Sequence, residues 1–219
     1  MYVKIIPVMN PFRLFCLCLA LVFVAGCQEA WNDQDRSILF QDDFSSPESG
    51  WDIYEDELGA AGYLDGVYRI LADEPHTDFW GNPHGLKFKD VQVEVDALRA
   101  AGSSNNVFGI LCRYQDAGNF YQLLVSSDGY YDISKVINDQ RIPLTGEQLL
   151  PSDAIPQTLD ILHLQADCTG SNLVLFANGV EIARAQDGDL ASGNIGLIAG
   201  AFETSGTEIL FDNLVVRKP

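Results

Sequence analysis

The chain has 219 residues, of which 47% are hydrophobic and 20% are charged, a composition typical of a globular protein rather than a disordered one. Its formal net charge of −18 at pH 7 argues against nucleic acid and anionic lipid as partners, because both are themselves negative. Nineteen glycines and nine prolines, spread over many short runs, are typical of a turn-rich β architecture.

The first 26 residues have the pattern of an export signal and are set apart from the fold. Lys4 and Arg13 supply the positive charge that precedes an apolar run over 14–25. This run is shorter than the ~20 residues that a membrane-spanning helix needs. It ends in Val24-Ala25-Gly26-Cys27, which resembles the lipobox of bacterial lipoproteins, in which the cysteine is lipidated and becomes the mature N-terminus.

This resemblance implies a signal peptide over 1–26 and a lipidated Cys27 followed by a polar tether over 27–37. We therefore expect an exported bacterial lipoprotein that carries palmitate and is anchored in a membrane, at the periplasmic face of the outer membrane or at the cell surface. A plain secretory signal with an incidental cysteine is the alternative interpretation. Met9 is a second candidate for the start of translation, since the segment that it opens is also an adequate signal.

Two cysteines lie beyond the predicted lipidation site, Cys112 and Cys168. An exported domain can retain a disulfide, and a bridge between these two residues is one interpretation. Two buried free thiols, which behave as small hydrophobic groups, are the other. A metal pair is not expected, because no His or third Cys lies at ligand spacing.

Short strands are predicted along the remaining chain, because apolar and polar residues alternate or form brief apolar runs between turns. We count about twelve of them and no long amphipathic helix, which predicts an all-β, antiparallel two-sheet jelly-roll sandwich in one domain over 38–217. Segment 51–62 is predicted to be an irregular strand or a loop, and segment 138–155 a polar excursion with at most one helical turn. The predicted strands are 38–44, 67–71, one near Trp80, 91–98, three within 108–137, 159–167, 173–177, 180–184, 195–202 and 208–217.

Several short motifs follow one another along residues 38–217. They are Asp42-Asp43-Phe44, Gly50-Trp51, Asp65-Gly66-Val67-Tyr68, Cys112-Arg113-Tyr114-Gln115-Asp116, Ser127-Asp128-Gly129-Tyr130-Tyr131 and Phe211-Asp212-Asn213-Leu214. Together they resemble the concanavalin A-like lectin/glucanase superfamily, in the laminin-G-like branch that also holds the 3-keto-disaccharide hydrolase (DUF1080) domains. The resemblance implies two antiparallel sheets with a concave face that binds glycans in many relatives.

The sequence does not carry the catalytic motif of the glucanase relatives. A retaining glycosidase needs two carboxyl groups about 5–5.5 Å apart, and family-16 glucanases place them in a Glu-x-Asp-x-x-Glu strand. The nearest match is Glu94-Val95-Asp96, but Arg99 occupies the position of the second Glu. We therefore predict that Glu94 and Asp96 lie on a solvated strand face, and we interpret His163 as a structural residue. No motif of the hydrolase activity can be assigned to named residues.

A sugar-binding face needs flat aromatic rings beside polar side chains. If they share the concave face, Arg113, Gln122 and Tyr131, with Trp80 and His84, form such a set. The alternative is structural: Arg113 pairs internally with Asp116 or Glu94. In that case the edges of the sandwich are filled by Tyr114, Tyr121 and Tyr130.

A structural calcium ion is the third expectation. Glucanase relatives hold one with an Asp of the last strand and with oxygens near the first strands, and oxygen is the ligand that Ca²⁺ prefers. The resemblance transfers these roles to Asp212, to the carbonyl of Gly66 and to Asp43. The alternative is that Asp212 pairs with backbone groups and binds no metal.

These observations lead to one functional hypothesis and two alternatives. The first is a lipid-anchored exported domain that is not catalytic and binds carbohydrate, a cell-surface glycan or another surface partner through the concave sheet. The second is a hydrolase acting on glycosides, of the 3-keto-disaccharide hydrolase type. The third is a structural or adhesion module without a small ligand.

Overall fold

Residues 37–219 are described by a computed structural model; the predicted signal peptide, Cys27 and nearly all of the tether lie outside them. Residues 38–219 form one unit. In this part of the chain, no helix is long and apolar enough to cross a membrane. The strands are β1 (Ile38–Asp42), β2 (Tyr54–Glu55), β3 (Gly59–Leu64), β4 (Val67–Ala72), β5 (Thr77–Gly81), β6 (Val91–Ala101), β7 (Asn106–Asp116), β8 (Asn119–Val125), β9 (Tyr130–Ile137), β10 (Gln140–Pro143), β11 (Leu150–Pro151), β12 (Leu162–Thr169), β13 (Asn172–Ala177), β14 (Val180–Gln186), β15 (Asn194–Ala201) and β16 (Thr207–Arg217).

The strands form two antiparallel sheets. The seven-stranded sheet has the order β10-β9-β8-β7-β15-β5, and β11 also pairs with β9. The nine-stranded sheet has the order β14-β13-β12-β6-β16-β4-β3-β2, and β1 also pairs with β16. The predicted all-β antiparallel sandwich is therefore confirmed.

Alternation in the sequence decides which residues form the core between the sheets. Along β6, Val91, Val93 and Val95 are buried, whereas Glu94 and Asp96 are on the outer face. Residues i and i+2 of a strand share a face, so one apolar row is removed from water. Each fully buried Val or Leu contributes about 1.5–3 kcal/mol. The same pattern in β12 completes this part of the core from the adjacent strand.

Two segments predicted to be irregular contain strands. β2 and the first four residues of β3 lie within 51–62, and β10 and β11 lie within 138–155. β3 begins with Gly59 and two buried alanines and shows no alternation. A Cβ at Gly59 would collide with the carbonyl of Leu71 and the ring of Phe79, so this strand is specified by close packing rather than by pattern.

Asp42, the first residue of the Asp42-Asp43-Phe44 motif, has a structural role. Its buried carboxylate accepts hydrogen bonds from the indole nitrogen of Trp51 at 3.0 Å and from the backbone nitrogen of Phe44 at 2.8 Å. The ring of Trp51 then packs edge-on against that of Phe44, with centroids 5.3 Å apart. The contact holds the segment after β1 against the core, and it satisfies the buried indole donor.

A bulge in β7 reverses the side on which Arg113 lies. Cys112 points into the core, so strict alternation would place Arg113 on the outer face. Arg113 instead has a φ of 52°, and the pairing of β7 with β8 is interrupted after Cys112. The opposite chain approaches closely here, because a Cβ at Gly193 would lie 2.3 Å from the carbonyl carbon of Arg113.

Arg113 is consequently buried at one end of the sandwich, with 3% of its surface exposed. Its guanidinium donates to the carbonyl oxygens of Leu190 at 2.8 Å, Gly170 at 2.7 Å and Lys89 at 3.2 Å, and it lies 3.4 Å from a carboxylate oxygen of Asp90. These groups belong to three different connections between strands, so a single cation joins them.

The structure joins Cys112 and Cys168 in a disulfide. Cys112 lies in β7 of the seven-stranded sheet and Cys168 in β12 of the nine-stranded sheet, so the bond crosses the core beside Arg113. The two residues are 56 positions apart in the chain. In the chain-entropy model, closing a loop of this length stabilises the fold by about 4 kcal/mol.

A second ionic cluster holds the connection between β14 and β15. Lys135 donates to the carboxylates of Asp187 and Asp189, and the hydroxyl of Tyr121 also donates to Asp187. The hydrogen bonds to Asp187 and Asp189 raise the pKa of Lys135 to about 12. Burial acts to raise the pKa of Asp187, but the hydrogen bonds from Lys135 and Tyr121 outweigh it and lower that pKa.

Replacing Arg113 by Met should destabilise the domain by about 3–5 kcal/mol, because buried acceptors lose their donor. Arg184→Met is the matched control, since Arg184 is exposed and pairs with Glu181 on the same strand. The control should cost far less, because an exposed ion pair contributes little to stability. Urea unfolding measures both values, and equal costs for the two variants would contradict the structural role of Arg113.

Candidate functional site: the concave face of the seven-stranded sheet

Side chains from distant strands meet on the outer face of the seven-stranded sheet, which we call the concave face. Trp80 on β5 and Phe120 on β8 have ring centroids 6.0 Å apart. Three strand spacings of about 4.8 Å separate these strands, so in a flat sheet the backbones would lie about 14 Å apart. The side chains therefore lean toward each other across the face.

Three aromatic rings lie together on this face, and we call them the aromatic row: Trp80, Tyr114 and Phe120. The ring of Tyr114 stacks on that of Phe120 at 5.7 Å, and the indole nitrogen of Trp80 donates to the hydroxyl of Tyr114 at 3.3 Å. Trp80 and Tyr114 remain partly exposed. The exposed parts of these two rings offer a surface on which the apolar face of a sugar can stack.

A chain of polar side chains, the polar network, runs beside the aromatic row. The amide of Gln122 donates to the hydroxyl of Ser134 at 2.8 Å, and Ser134 donates to Asp132 at 2.7 Å. Arg141 reaches the same carboxylate oxygen of Asp132, also at 2.7 Å. Asp132 is fully buried, whereas 41% of the Arg141 side chain is exposed. The network thus presents one oriented guanidinium to solvent.

Asp78 lies at the opposite edge of the face, on β5. Its side chain is reachable by solvent, yet the surrounding protein displaces much of the water, which raises the pKa of its carboxyl. The positive charge of Arg141, on the other edge strand, partly opposes that shift. A Cβ at Gly200 would collide with the carboxylate of Asp78, so only glycine lets this carboxylate lie over the floor of the face.

The floor of the face is closed by the protein itself. It is a small apolar cluster on which Leu149 of the β10–β11 connection packs together with the aromatic row. The four aliphatic residues of the floor are at most 5% exposed. A ligand would therefore contact the rings and polar groups above the floor. The floor residues are Val107, Leu111, Leu124 and Ile198.

The structure brings together two of the five predicted binding residues, Trp80 and Gln122. The prediction is wrong for Arg113, which the bulge turns into the interior. It is also wrong for Tyr131, which packs against the core between the sheets. His84 lies on the surface near the end of β5, with 71% of its side chain exposed and a nitrogen 3.5 Å from a carboxylate oxygen of Asp52.

Sequence reasoning missed most of the residues on this face. Alternation along β8 already places Phe120, Gln122 and Leu124 on one side, and this signal identifies Phe120 as a neighbour of Gln122. Tyr114 follows the bulge, which no local pattern announces. The residues at the two edges, Asp78 and Arg141, lie in segments that were predicted to be mostly loop.

Glu94 and Asp96, which match the glucanase motif only in part, lie on the outer face of the nine-stranded sheet. A nitrogen of His163 lies 2.8 Å from Asp96, and the amide of Asn213 donates to the other oxygen of Asp96 at 3.0 Å. Glu94 lies 3.5 Å from Arg217. The predicted solvated face for Glu94 and Asp96 is confirmed, and it is the face opposite the candidate site.

The proposed calcium ligands come from neighbouring segments. Phe211 of β16 pairs with Tyr68 of β4, and Leu214 pairs with Asp42 of β1, so both strands meet the same part of β16. Asp212 lies within this part, and Asp43 directly follows Asp42. Within residues 37–219, however, no three His, Cys, Asp or Glu side chains are grouped to hold a metal ion. An ion here would need backbone carbonyls, and the calcium site stays a prediction.

Solved structures share this fold at low sequence identity. The carbohydrate-binding module CBM66 from Bacillus subtilis has a TM-score of 0.62 and 17% identity, over 78% of this chain and 96% of the module. A Bacillus subtilis protein of unknown function with a galectin-like fold has a TM-score of 0.61 and 13% identity, over 83% and 96% of the two chains. A family-16 endo-glucanase from Bacteroides ovatus has a TM-score of 0.59 and 12% identity, over 82% and 100%.

These neighbours define the class of fold: the chain is a concanavalin A-like jelly-roll sandwich, as its motifs indicated. At such identities the likeness shows the fold alone. No family model and no curated protein matches the sequence, so the assignment to the 3-keto-disaccharide hydrolase domains receives no support from them.

The interaction between the two edges of the sheet can be tested through the carboxyl of Asp78. Replacing Arg141 by Gln should raise the pKa of Asp78 further, because a positive charge that favours the carboxylate is lost. Arg141→Lys keeps the charge and should leave the titration nearly unchanged. Carbon-13 NMR titration of the aspartate carboxyls measures both variants, and an unaltered pKa in Arg141→Gln would show that the two edges do not interact.

Proposed function

We propose that the domain binds carbohydrate on the concave face of the seven-stranded sheet and performs no chemistry there. The observation that carries the proposal is the aromatic row lying beside the polar network. Rings stack on the apolar face of a pyranose, while the partly exposed guanidinium of Arg141, which the buried network orients, is suited to hydroxyl groups. Structural neighbours described as a carbohydrate-binding module and an endo-glucanase support the same class of ligand.

A hydrolase acting on glycosides is the second candidate, because two carboxyl groups, Asp78 and Asp132, lie on this face. Hydrolysis of a glycosidic bond needs both carboxyl groups to reach it, one to protonate the leaving group and the other as nucleophile or base. Asp132 is fully buried and accepts hydrogen bonds from Ser134 and Arg141, so its carboxylate is engaged inside the protein. This favours binding over catalysis.

A structural module without a small ligand is the third candidate, and the closed floor of the face is the observation in its favour. The partial exposure of Trp80 and Tyr114 distinguishes a binding face from a purely structural one. A purely structural face would bury these rings, as it buries Phe120 at 4% exposure. The exposed area of the rings is therefore the part available to a ligand.

We further propose that the domain is held at a membrane by a lipid on Cys27 and that it acts outside the cytoplasm, at the periplasmic face of the outer membrane or at the cell surface. The lipobox-like segment and the disulfide between Cys112 and Cys168 support export, because disulfides persist in oxidising compartments. The anchor would be the contact with the membrane, and the negative charge of the chain argues against contact with anionic lipid or nucleic acid.

Binding is tested by NMR titration of the domain with neutral hexose tetrasaccharides of the glucan, mannan and fructan types. We expect Trp80→Ala to weaken binding about tenfold or more, because a central aromatic contact is lost. Phe176→Ala is the matched control, since Phe176 is a partly exposed ring in the nine-stranded sheet, and it should leave binding unchanged.

Two results would contradict the binding proposal. Absence of chemical-shift changes with every saccharide class would favour the structural module. Shortened sugars detected by mass spectrometry after incubation would favour the hydrolase instead, provided that Asp78→Asn abolished their release. Melting temperatures of the variants show whether a loss of binding reflects a loss of folding.

Anchoring is tested by expressing the full chain and its Cys27→Ser variant in a bacterial host. The unaltered protein should fractionate with membranes and carry acyl groups on an N-terminal Cys27 by mass spectrometry, whereas the variant should not be acylated. Cys18→Ser, upstream in the apolar run, should behave like the unaltered protein. A mature N-terminus at a residue other than Cys27 would overturn the lipid anchor.

A further inference from the structure

A second accessible cavity lies beyond the aromatic row, at one end of the seven-stranded sheet, and we call it the loop-end depression. It has a volume of about 770 Å³, within the range of roughly 300–1,000 Å³ that is usual for small-molecule sites. Five connections between strands contribute to it: β4–β5, β6–β7, β8–β9, β10–β11 and β15–β16. A depression of this size accommodates a few sugar units.

The lining combines aromatic and polar side chains. Tyr130 is 40% exposed, and Phe202, which also lines the depression, is partly exposed. Leu149 lies between this depression and the floor of the concave face, since it lines the former and packs on the latter. Asn105 and Gln148 add exposed amides, which can both donate to and accept from hydroxyl groups.

The connections around the depression are fixed before any ligand binds. The amide of Asn106, which is completely buried, donates to the carbonyl of Ser103 at 2.8 Å and to the hydroxyl of Ser127 at 3.1 Å, and its oxygen accepts from the backbone of Ser127 at 3.1 Å. On the other side, the backbone nitrogen of His76 lies 2.8 Å from the carbonyl oxygens of Ala201 and Phe202. A fixed frame lowers the entropic cost of binding.

The charges in the depression are of one sign. Asp128 and Glu203 are the carboxylates in its lining, and none of the residues that line it is Lys or Arg. Asp128 accepts a hydrogen bond from Ser126, while Glu203 is exposed. Carboxylates accept hydrogen bonds from vicinal hydroxyl groups, but they repel the carboxylates of acidic sugars, and no Lys or Arg in the lining offsets this repulsion.

We propose that the loop-end depression binds the end of an uncharged saccharide chain whose neighbouring units lie along the aromatic row, and that it excludes acidic sugars. This inference rests on the proposed carbohydrate binding and adds the place of the chain end and the charge class of the ligand. Leu149 connects the two areas, so one chain can contact both.

The test uses calorimetric titration at pH 7.5 with the neutral tetrasaccharide that binds best and with a galacturonic acid tetrasaccharide as the acidic comparison. We expect the unaltered domain to bind the acidic chain at least about tenfold more weakly, since two like charges act at close range. In the double variant Asp128→Asn/Glu203→Gln, the ratio of the affinities for the neutral and the acidic chain should fall below about threefold. Tyr130→Ala should weaken binding of the neutral chain about fivefold or more.

The matched control is Glu55→Gln/Glu57→Gln, which removes two exposed carboxylates in or next to β2 of the other sheet. It should preserve the preference for the neutral chain, which separates a local effect from the change in net charge. If Trp80→Ala weakens binding while the Tyr130 and Asp128/Glu203 variants behave like the unaltered domain, the loop-end proposal is overturned and the binding function stands. If no saccharide binds, both are overturned.

Discussion

The buried guanidinium of Arg113 is the contact on which the arrangement of the two sheets depends. A cation without water must find acceptors inside the protein, and it finds them in three connections that would otherwise be independent. The adjacent disulfide between Cys112 and Cys168 spans the core at the same end. Together they fix β7 relative to β12, so the central strand of the concave face cannot shift without breaking several bonds at once.

The backbone bulge that buries Arg113 also builds the candidate site. With regular alternation, Arg113 would face outward and Tyr114 inward. The extra residue at φ 52° reverses both, so that the guanidinium joins the interior and Tyr114 joins Trp80 and Phe120 on the concave face. A single local irregularity therefore supplies a structural cross-link on one side of the sheet and an aromatic surface on the other.

The charges of the domain are arranged to leave the concave face with little net charge. The buried Asp132 is neutralised by the partly exposed Arg141, and Asp78 remains at the far edge with a raised pKa. The strongly acidic character of the chain is expressed instead in its other surfaces, including the loop-end depression with Asp128 and Glu203. A sugar without charge suits this distribution, because it meets hydrogen-bonding groups and rings without an electrostatic penalty.

The sequence by itself determined the class of fold and the alternating strands, because periodicity along β6, β8 and β12 is a local property that burial of one face imposes. It also singled out Trp80 and Gln122, which share the concave face. Only the tertiary structure decided the role of Arg113, the strands in segments 51–62 and 138–155, and the partnership of Asp78 with Arg141. The role of Arg113 depends on a bulge, and β3 depends on the close packing of Gly59 against a neighbouring strand. Asp78 and Arg141 lie on opposite edge strands. All of these features arise from contacts between residues far apart in the chain.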